Sequence, residues 1–252
     1  MIRVAAVGDL HVGIDAFVDW RQALATVSAQ ADLLLLAGDL TQVGAPEEAQ
    51  ALLSVLRPVT IPIVAVLGNH DYHSGRPAQI AAALAERGVH VLEGSAVHLS
   101  VAGARVGIAG SKGFGGGFAN ACASEFGESE MKAFVGHTRA LSERLARAVA
   151  SLDADLRLVL LHYSPVAATL QGERSEIYPF LGSYLLAEAI DNAGADLALH
   201  GHAHAGSETG VTPGGVRVRN VAQPVIRSAY RVYCLASGET LECAQASGAP
   251  AL

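Results

Sequence analysis

The chain has 252 residues, of which 51% are hydrophobic and 16% charged, and its mean hydropathy is +0.33. This composition excludes an intrinsically disordered protein, because disorder requires low hydrophobicity and a high density of charge. The 24 acidic and 17 basic residues give a formal net charge of −7. Such an acidic balance argues against a nucleic-acid partner, which needs a basic surface to neutralise its phosphates.

Three features of the sequence bear on cellular location. The longest apolar runs, Leu33–Ala37 and Ile61–Leu67, are far shorter than the roughly 20 residues that span a bilayer. No small-residue cleavage site of an export signal follows the first apolar segment. The three cysteines are an odd number without metal-ligand spacing, which argues against a disulfide scaffold. The expectation is a cytoplasmic protein in a reducing compartment, without membrane contact.

Apolar runs alternate with helical patterns over the first ninety residues. Continuous apolar runs predict strands buried on both faces at Ile2–Val7, Leu33–Ala37 and Ile63–Leu67. A helix capped by Asp15 is predicted between the first two strands, and a helix over Pro46–Leu56 between the second and third. Two such crossovers in succession indicate a parallel or mixed sheet covered by helices.

The second half of the chain has a mixed pattern. It predicts a hairpin of Val97–Val101 and Arg105–Ala109, helices over Ser129–Leu152 and Ser183–Ala193, strands over Leu156–Leu161 and Leu197–Leu199, and a closing antiparallel pair of Val216–Val221 and Ser228–Leu235. No internal repeat, charge block or linker composition divides the sequence. A single domain over residues 1–252 is therefore predicted.

Chemically versatile side chains follow the ends of the predicted buried strands. Ligands of α/β sheets bind in the crevice outside the carboxyl ends of the strands. The side chains that this rule places in one crevice are Asp9, His11, Asp39, Asn69, His70, Asp71, His162, His202 and His204. Carboxylates together with imidazoles suit Mn, Fe, Zn, Ni or Co rather than calcium. A carboxylate such as Asp39 can bridge two cations, and paired metals are a known clamp for phosphoryl displacement.

The order of these motifs carries a family resemblance. The blocks Asp9-x-His11, Gly38-Asp39, Gly68-Asn69-His70-Asp71, His162 and Gly201-His202-x-His204 together resemble the calcineurin-like metallophosphoesterase superfamily. They span about four-fifths of the chain. The resemblance implies an α/β fold, a four-layer α/β/β/α sandwich of two mixed sheets flanked by helices, with a binuclear metal centre.

The resemblance also implies a role for each residue. The first of the two divalent metal ions would be held by Asp9, His11, Asp39 and His204. The second would be held by Asn69, His162, His202 and the bridging Asp39. His70 would lie nearest the leaving group, and Asp71 would orient the His70 imidazole and raise its basicity.

The implied activity is metal-dependent hydrolysis, by a metal-activated water, of a small phosphodiester or phosphomonoester, cyclic nucleotides included. Many relatives carry an arginine shortly after the second block, but the segment 38–44 here reads Gly-Asp-Leu-Thr-Gln-Val-Gly. This form is closer to bacterial phosphodiesterase-like relatives than to protein phosphatases. Two alternatives remain: a nuclease acting on DNA or RNA, against which the acidic balance argues, and a silent binding scaffold, against which the intact ligand set argues.

Two further features of the sequence lie outside the metal-ligand motifs. Five glycines in the eleven residues of Gly110–Asn120 predict a mobile or tightly turned loop. Its Lys112, one of only two lysines, is a candidate contact for the substrate phosphate; the alternative is an ordinary surface turn. His200 lies within its predicted strand rather than beyond it, so a structural role is expected for this histidine.

Overall fold

The computed structural model describes residues 1–14, 19–236 and 239–242, the last of these by their backbone alone. The strands are β1 (Ile2–Val7), β2 (Leu33–Ala37), β3 (Ile63–Val66), β4 (His90–Val91), β5 (Ser95–Val101), β6 (Ala104–Ser111), β7 (Gly117–Phe118), β8 (Ala121–Cys122), β9 (Leu156–Leu161), β10 (Leu197–His200), β11 (Thr209–Val211), β12 (Arg217–Asn220), β13 (Arg231–Ala236) and β14 (Glu239–Glu242). The α-helices are α1 (Trp20–Ala23), α2 (Val27–Gln30), α3 (Pro46–Leu56), α4 (Pro77–Glu86), α5 (Ser129–Ala150), α6 (Tyr178–Leu181), α7 (Tyr184–Ala193) and α8 (Gln223–Ile226).

Two six-stranded mixed sheets form the centre of the fold. The first has the strand order β14-β13-β1-β2-β3-β4, and β1 to β4 run parallel to one another. The second has the order β11-β12-β10-β9-β6-β5, and β6, β9, β10 and β12 run parallel. Because parallel strands end at the same edge of a sheet, each sheet presents several strand ends side by side.

Three apolar layers hold the sheets and helices together. Alternate residues of the strands, such as Leu35 in β2 and Leu158 in β9, form a buried core between the sheets. The other faces pack against helices: Leu36 lies in a core with residues of α3 and α4, and Leu161 in a core with residues of α5 and α7. Burial on both faces explains the continuous apolar runs, and the predicted α/β/β/α layering is confirmed.

Most predicted helices and hairpins are confirmed with small changes of boundary. Helix α5 ends at Ala150 instead of Leu152. Helix α7 begins at Tyr184, and the side chain of the preceding Ser183 caps it by accepting a hydrogen bond from Leu185 N. The helix predicted after the first strand is instead two short helices, α1 and α2, and Asp19 caps the first of them. The predicted cap Asp15 lies outside the described residues.

The predicted closing pair of strands is wrong. Strand β12 pairs with β10 and β11 in the second sheet, whereas β13 pairs antiparallel with β1 in the first. Helix α8 lies between them in the chain, and Gln223 N donates to Gly8 O beside the first sheet. The chain therefore changes sheets at this point, which an apolar pattern within each strand does not reveal.

The sequence also predicts a reducing compartment and no membrane contact. Among the described residues, no helix combines the length and the hydropathy that crossing a bilayer requires. Cys122 is exposed and free, whereas Cys234 is disulfide-bonded. The odd cysteine count therefore gives no support to a reducing compartment, and the cytoplasmic location stays a prediction.

Candidate metal centre

The carboxyl ends of five parallel strands bring the predicted ligands together. Asp9 and His11 follow β1, Asp39 follows β2, Asn69 follows β3, His162 follows β9, and His202 and His204 follow β10. Three groups of side chains place one potential ligand atom each within 4.8 Å of one another. These groups are Asp9, His11 and His204; His11, Asp39 and His70; and Asp39, His162 and His202.

Asp39 lies at the centre of the cluster and is almost completely buried. Its Oδ1 is 3.3 Å from His162 Nε2. Its Oδ2 is 3.8 Å from His11 Nε2 and 3.9 Å from His70 Nε2. The two carboxylate oxygens therefore face different histidines, which is the arrangement that a bridging ligand requires.

The backbone is strained where it carries these side chains. Asp9, His11, Asp39 and His202 have φ values of 62°, 44°, 49° and 70°, in the left-handed region that residues with a Cβ rarely adopt. Such conformations cost about 1–3 kcal/mol each and concentrate at functional sites. Backbone hydrogen bonds hold two of them in place: Asp9 N donates to Gly38 O at 2.9 Å, and His11 N to Asp39 O at 3.0 Å.

Glycines allow the strand ends to approach one another. A Cβ on Gly68 would overlap Asp39 Oδ1, and a Cβ on Gly201 would overlap Asp9 Oδ2. These glycines are therefore required by close packing against the ligands, beyond the needs of a turn.

The His162 ring shows that the cluster suits a cation. Its Nδ1 lies 2.9 Å from Ala37 O, which can only accept, so the proton is on Nδ1 and Nε2 carries a lone pair. That Nε2 faces Asn69 Oδ1 at 2.9 Å and the Asp39 carboxylate. Burial lowers the pKa of His162 well below its usual value, so a second proton is disfavoured. Electron-rich atoms thus converge on one point, as metal ligands do.

Two other histidines have the same kind of backbone partner. His202 Nε2 lies 3.1 Å from Phe180 O, which leaves Nδ1 as the lone-pair atom. His70 Nδ1 lies 2.7 Å from Gln42 O, which leaves Nε2 on the side of Asp39. His11 Nε2 is buried without a hydrogen-bond partner. Burial lowers the pKa of His11 to about 4 and that of His202 to about 3, so both imidazoles are neutral, the form that binds metals.

Asp71, the last of the nine predicted site residues to be placed, has a different hydrogen-bond partner from the predicted one. The sequence predicts that its carboxylate orients His70, but His70 bonds to Gln42 O instead. Asp71 is fully buried and accepts hydrogen bonds from Thr41 N at 2.8 Å, Thr41 Oγ1 at 2.6 Å and Gly68 N at 2.8 Å. The carboxylate therefore ties the loop after β2, which carries Gln42, to the loop after β3, which carries His70.

The glycine-rich segment is not an exposed turn. Lys112 is 6% exposed, and its Nζ donates to Gly113 O at 3.0 Å. The ammonium lies 5.2, 4.9 and 5.0 Å from the ring centres of Tyr72, Phe114 and Tyr163. His200 is also buried, with Nε2 2.8 Å from Thr169 Oγ1, which agrees with the expected structural role.

The backbone partners of the histidines are functional residues that no sequence motif reveals. The carbonyl groups of Ala37, Gln42 and Phe180 fix which ring nitrogen carries the proton. Every residue has a carbonyl group, so no side-chain motif distinguishes these three. Their positions depend on the folded chain, and only for Ala37, which precedes Gly38-Asp39 at the end of a strand, was there a positional signal.

Fold and ligand cluster together define a metal-dependent phosphoesterase. A family model described as calcineurin-like phosphoesterase matches residues 2–206. The chain therefore belongs to the calcineurin-like phosphoesterase family, whose members depend on a binuclear metal centre.

Individual relatives are more distant. A Synechococcus protein named "probable cyclic nucleotide phosphodiesterase" is 32% identical over 80 residues, which cover 28% of this chain and 31% of that protein. The crystal structure of a phosphopantetheinyl hydrolase from Mycobacterium tuberculosis matches with a TM-score of 0.65 at 17% identity, over 89% of this chain and 90% of that one. The Thermus thermophilus protein TT1561 matches with a TM-score of 0.56 at 18% identity, over 96% and 98% of the two chains. Both structures support the fold.

The close approach of Gly68 to Asp39 can be tested by substitution. Gly68→Ala should displace the Asp39 carboxylate and lower the metal content of the folded protein, measured by elemental analysis alongside circular dichroism. Gly136→Ala is the control, because a Cβ on Gly136 in α5 meets nothing within 4 Å. A Gly68→Ala protein with the metal content of the parent would show that this contact is not needed.

Proposed function

We propose that this chain hydrolyses a small phosphodiester or phosphomonoester, cyclic nucleotides included, at a centre of two divalent metal ions. The first ion would be held by Asp9, His11, Asp39 and His204, and the second by Asn69, His162, His202 and the shared Asp39. The observation that carries this proposal is the position of Asp39, whose two oxygens face different histidines. Two cations in such a site lower the pKa of water and offset charge on phosphoryl oxygens.

The proposed ligands are anionic carboxylates, imidazoles and one neutral amide, and their side chains are held in fixed positions. The carbonyl groups of Ala37 and Phe180 hold the rings of His162 and His202 in one orientation each. Asn69 adds an oxygen donor without adding a charge. Preformed orientation matters because the ligands then need no rearrangement when a phosphoester binds.

His70 is the candidate proton donor. Its side chain is 44% exposed, and the bond from Nδ1 to Gln42 O leaves Nε2 on the side of Asp39 and the ligand cluster. A proton carried on Nε2 would pass to the departing alkoxide oxygen as the phosphorus–oxygen bond breaks. Asp71 supports this geometry by fixing Thr41, the residue before Gln42.

The choice of substrate class rests on three observations. The match to a protein named as a cyclic nucleotide phosphodiesterase favours a diester, although it covers 31% of that relative. The segment after Asp39 lacks an arginine, and the net charge of −7 disfavours a polyanionic nucleic acid. We also propose that residues 1–252 act as one domain and that the protein works in the cytoplasm, with a small-molecule phosphoester as its partner.

A substrate panel tests the activity. The Mn²⁺-loaded protein should hydrolyse a bis-aryl phosphate, an aryl monophosphate or a 2′,3′- or 3′,5′-cyclic nucleotide faster than single-stranded DNA. Removal of metal by a chelator should abolish turnover, and added Mn²⁺ should restore it. Preferential cleavage of DNA would instead support the nuclease, and inactivity on every compound would support a binding scaffold.

Substitution of the shared carboxylate tests the bridge. Asp39→Asn removes one anionic oxygen from both proposed ion sites, so the protein should lose affinity for both metals and most of its turnover. Elemental analysis and calorimetric titration with Mn²⁺ measure the number of ions bound. The control is Asp153→Asn, because the Asp153 side chain is 92% exposed. Two tightly bound ions in Asp39→Asn would exclude a bridging role.

Substitution of His70 tests acid catalysis. His70→Ala should retain its metal content while kcat for an alkyl ester falls roughly 10²–10⁴-fold. The loss should be smaller for nitrophenyl esters, whose leaving group needs no proton. His73→Ala, an exposed histidine in the same loop, is the matched control. Equal losses for both ester types would indicate that His70 positions the phosphate instead.

A further inference from the structure

The glycine-rich segment between β6 and β7 is a packed support for helix α6. Gly116 N donates to Pro179 O at 2.7 Å, and Gly117 N donates to Gly182 O at 2.8 Å. A Cβ on Gly115 would overlap Pro179 O and lie 3.3 Å from Phe180 Cα. The glycines are therefore required here because the segment lies directly against the backbone of α6.

The α6 residue whose backbone reaches the metal centre is Phe180. Its carbonyl oxygen is 3.1 Å from His202 Nε2, so its backbone is fixed beside a proposed ligand. Its side chain is nevertheless 61% exposed. Exposed apolar area is unfavourable in water, so a bound molecule that covers the Phe180 ring would gain free energy.

Aromatic rings connect Phe180 to the ligands in an unbroken series. Ring centres of Phe180 and Phe134 are 6.5 Å apart, those of Phe134 and Phe114 are 5.1 Å apart, and those of Phe114 and Tyr163 are 5.8 Å apart. Tyr163 in turn lies 4.3 Å from the His202 ring. We call these four residues, Tyr163, Phe114, Phe134 and Phe180, the aromatic wall.

We propose that the aromatic wall, through the exposed ring of Phe180, selects phosphoesters whose organic group carries a flat aromatic ring. This inference rests on the proposed function, because the phosphoryl group must bind at the metal centre for its organic substituent to reach Phe180. Contact between aromatic rings contributes free energy beyond the area that they bury, so the wall favours a flat ring over an alkyl group. A nucleobase and a simple aryl ester share this chemistry.

Three diesters with the same chromogenic leaving group separate these contributions. Methyl, phenyl and thymidine-5′ esters of p-nitrophenyl phosphate all release nitrophenolate, so only the retained group differs. Phe180→Ala should lower kcat/KM for the phenyl and thymidine esters by about 3- to 10-fold, the range of one aromatic contact. The methyl ester should change by less than about twofold. Truncation of the side chain leaves the Phe180 carbonyl on His202 in place.

Control variants identify the cause of any loss. Phe126→Ala removes a ring that is 89% exposed and should leave kcat/KM unchanged for all three esters. Phe180→Leu keeps apolar area without a ring and should recover only part of the loss. A loss confined to the thymidine ester would identify a nucleobase as the ligand, and a loss for both would identify any flat ring.

A binding measurement keeps this inference separate from the proposed function. Phenylphosphonate should bind the Mn²⁺-loaded protein more tightly than methylphosphonate in calorimetric titration, and Phe180→Ala should remove this preference. Inactivity towards the three diesters and an aryl monophosphate alike would contradict the proposed function, whereas the phosphonate comparison would still decide the role of Phe180. Equal effects of Phe180→Ala on phenyl and methyl compounds, in either measurement, would overturn aromatic selection.

Discussion

The burial of the Asp39 carboxylate is the constraint on which the functional end of the molecule depends. Asp39 is 1% exposed, and the nearest side chains that could carry charge are histidines. Burial keeps two of these histidines, His11 and His162, in the neutral form. Removing a carboxylate from water is costly unless a cation compensates it. Metal binding and the stability of this edge of the fold are therefore coupled, because each ion supplies the charge that the side chains lack.

The two sheets supply the rigidity that this arrangement needs. Left-handed backbone at Asp9, His11, Asp39 and His202 persists because each residue lies within four residues of the end of a strand whose two faces are both packed. Glycines at 68 and 201 let the ends of different strands approach closely, because a Cβ at either position would overlap the Asp39 or the Asp9 carboxylate. Four of the seven described non-glycine residues with positive φ are thus candidate metal ligands beyond the strand ends.

Sequence patterns predicted the parts of this structure that depend on side-chain type. Continuous apolar strands, the hairpin of β5 and β6, and the placement of Asp, Asn and His beyond strand ends all follow from periodicity and residue chemistry. Patterns failed where a contact depended on the position of distant backbone. Strands β12 and β13 joined different sheets, and His70 bonded to the carbonyl of Gln42 instead of the adjacent Asp71 carboxylate. Glycines at 115 to 117 signalled a turn, yet they serve close packing beneath α6.

Reactivity and selectivity come from different parts of the chain. The candidate ligands stand at the ends of strands, where packing on both faces leaves little freedom to change. Phe180 belongs to a four-residue helix that directly follows a 3-10 helix, Ser175–Ile177, and its hydrogen bond to His202 comes from its carbonyl group. Because a carbonyl is common to all residues, the side chain at position 180 is free of the demands of the metal centre. Such a division allows the organic part of the substrate to be selected without altering the groups that act on phosphorus.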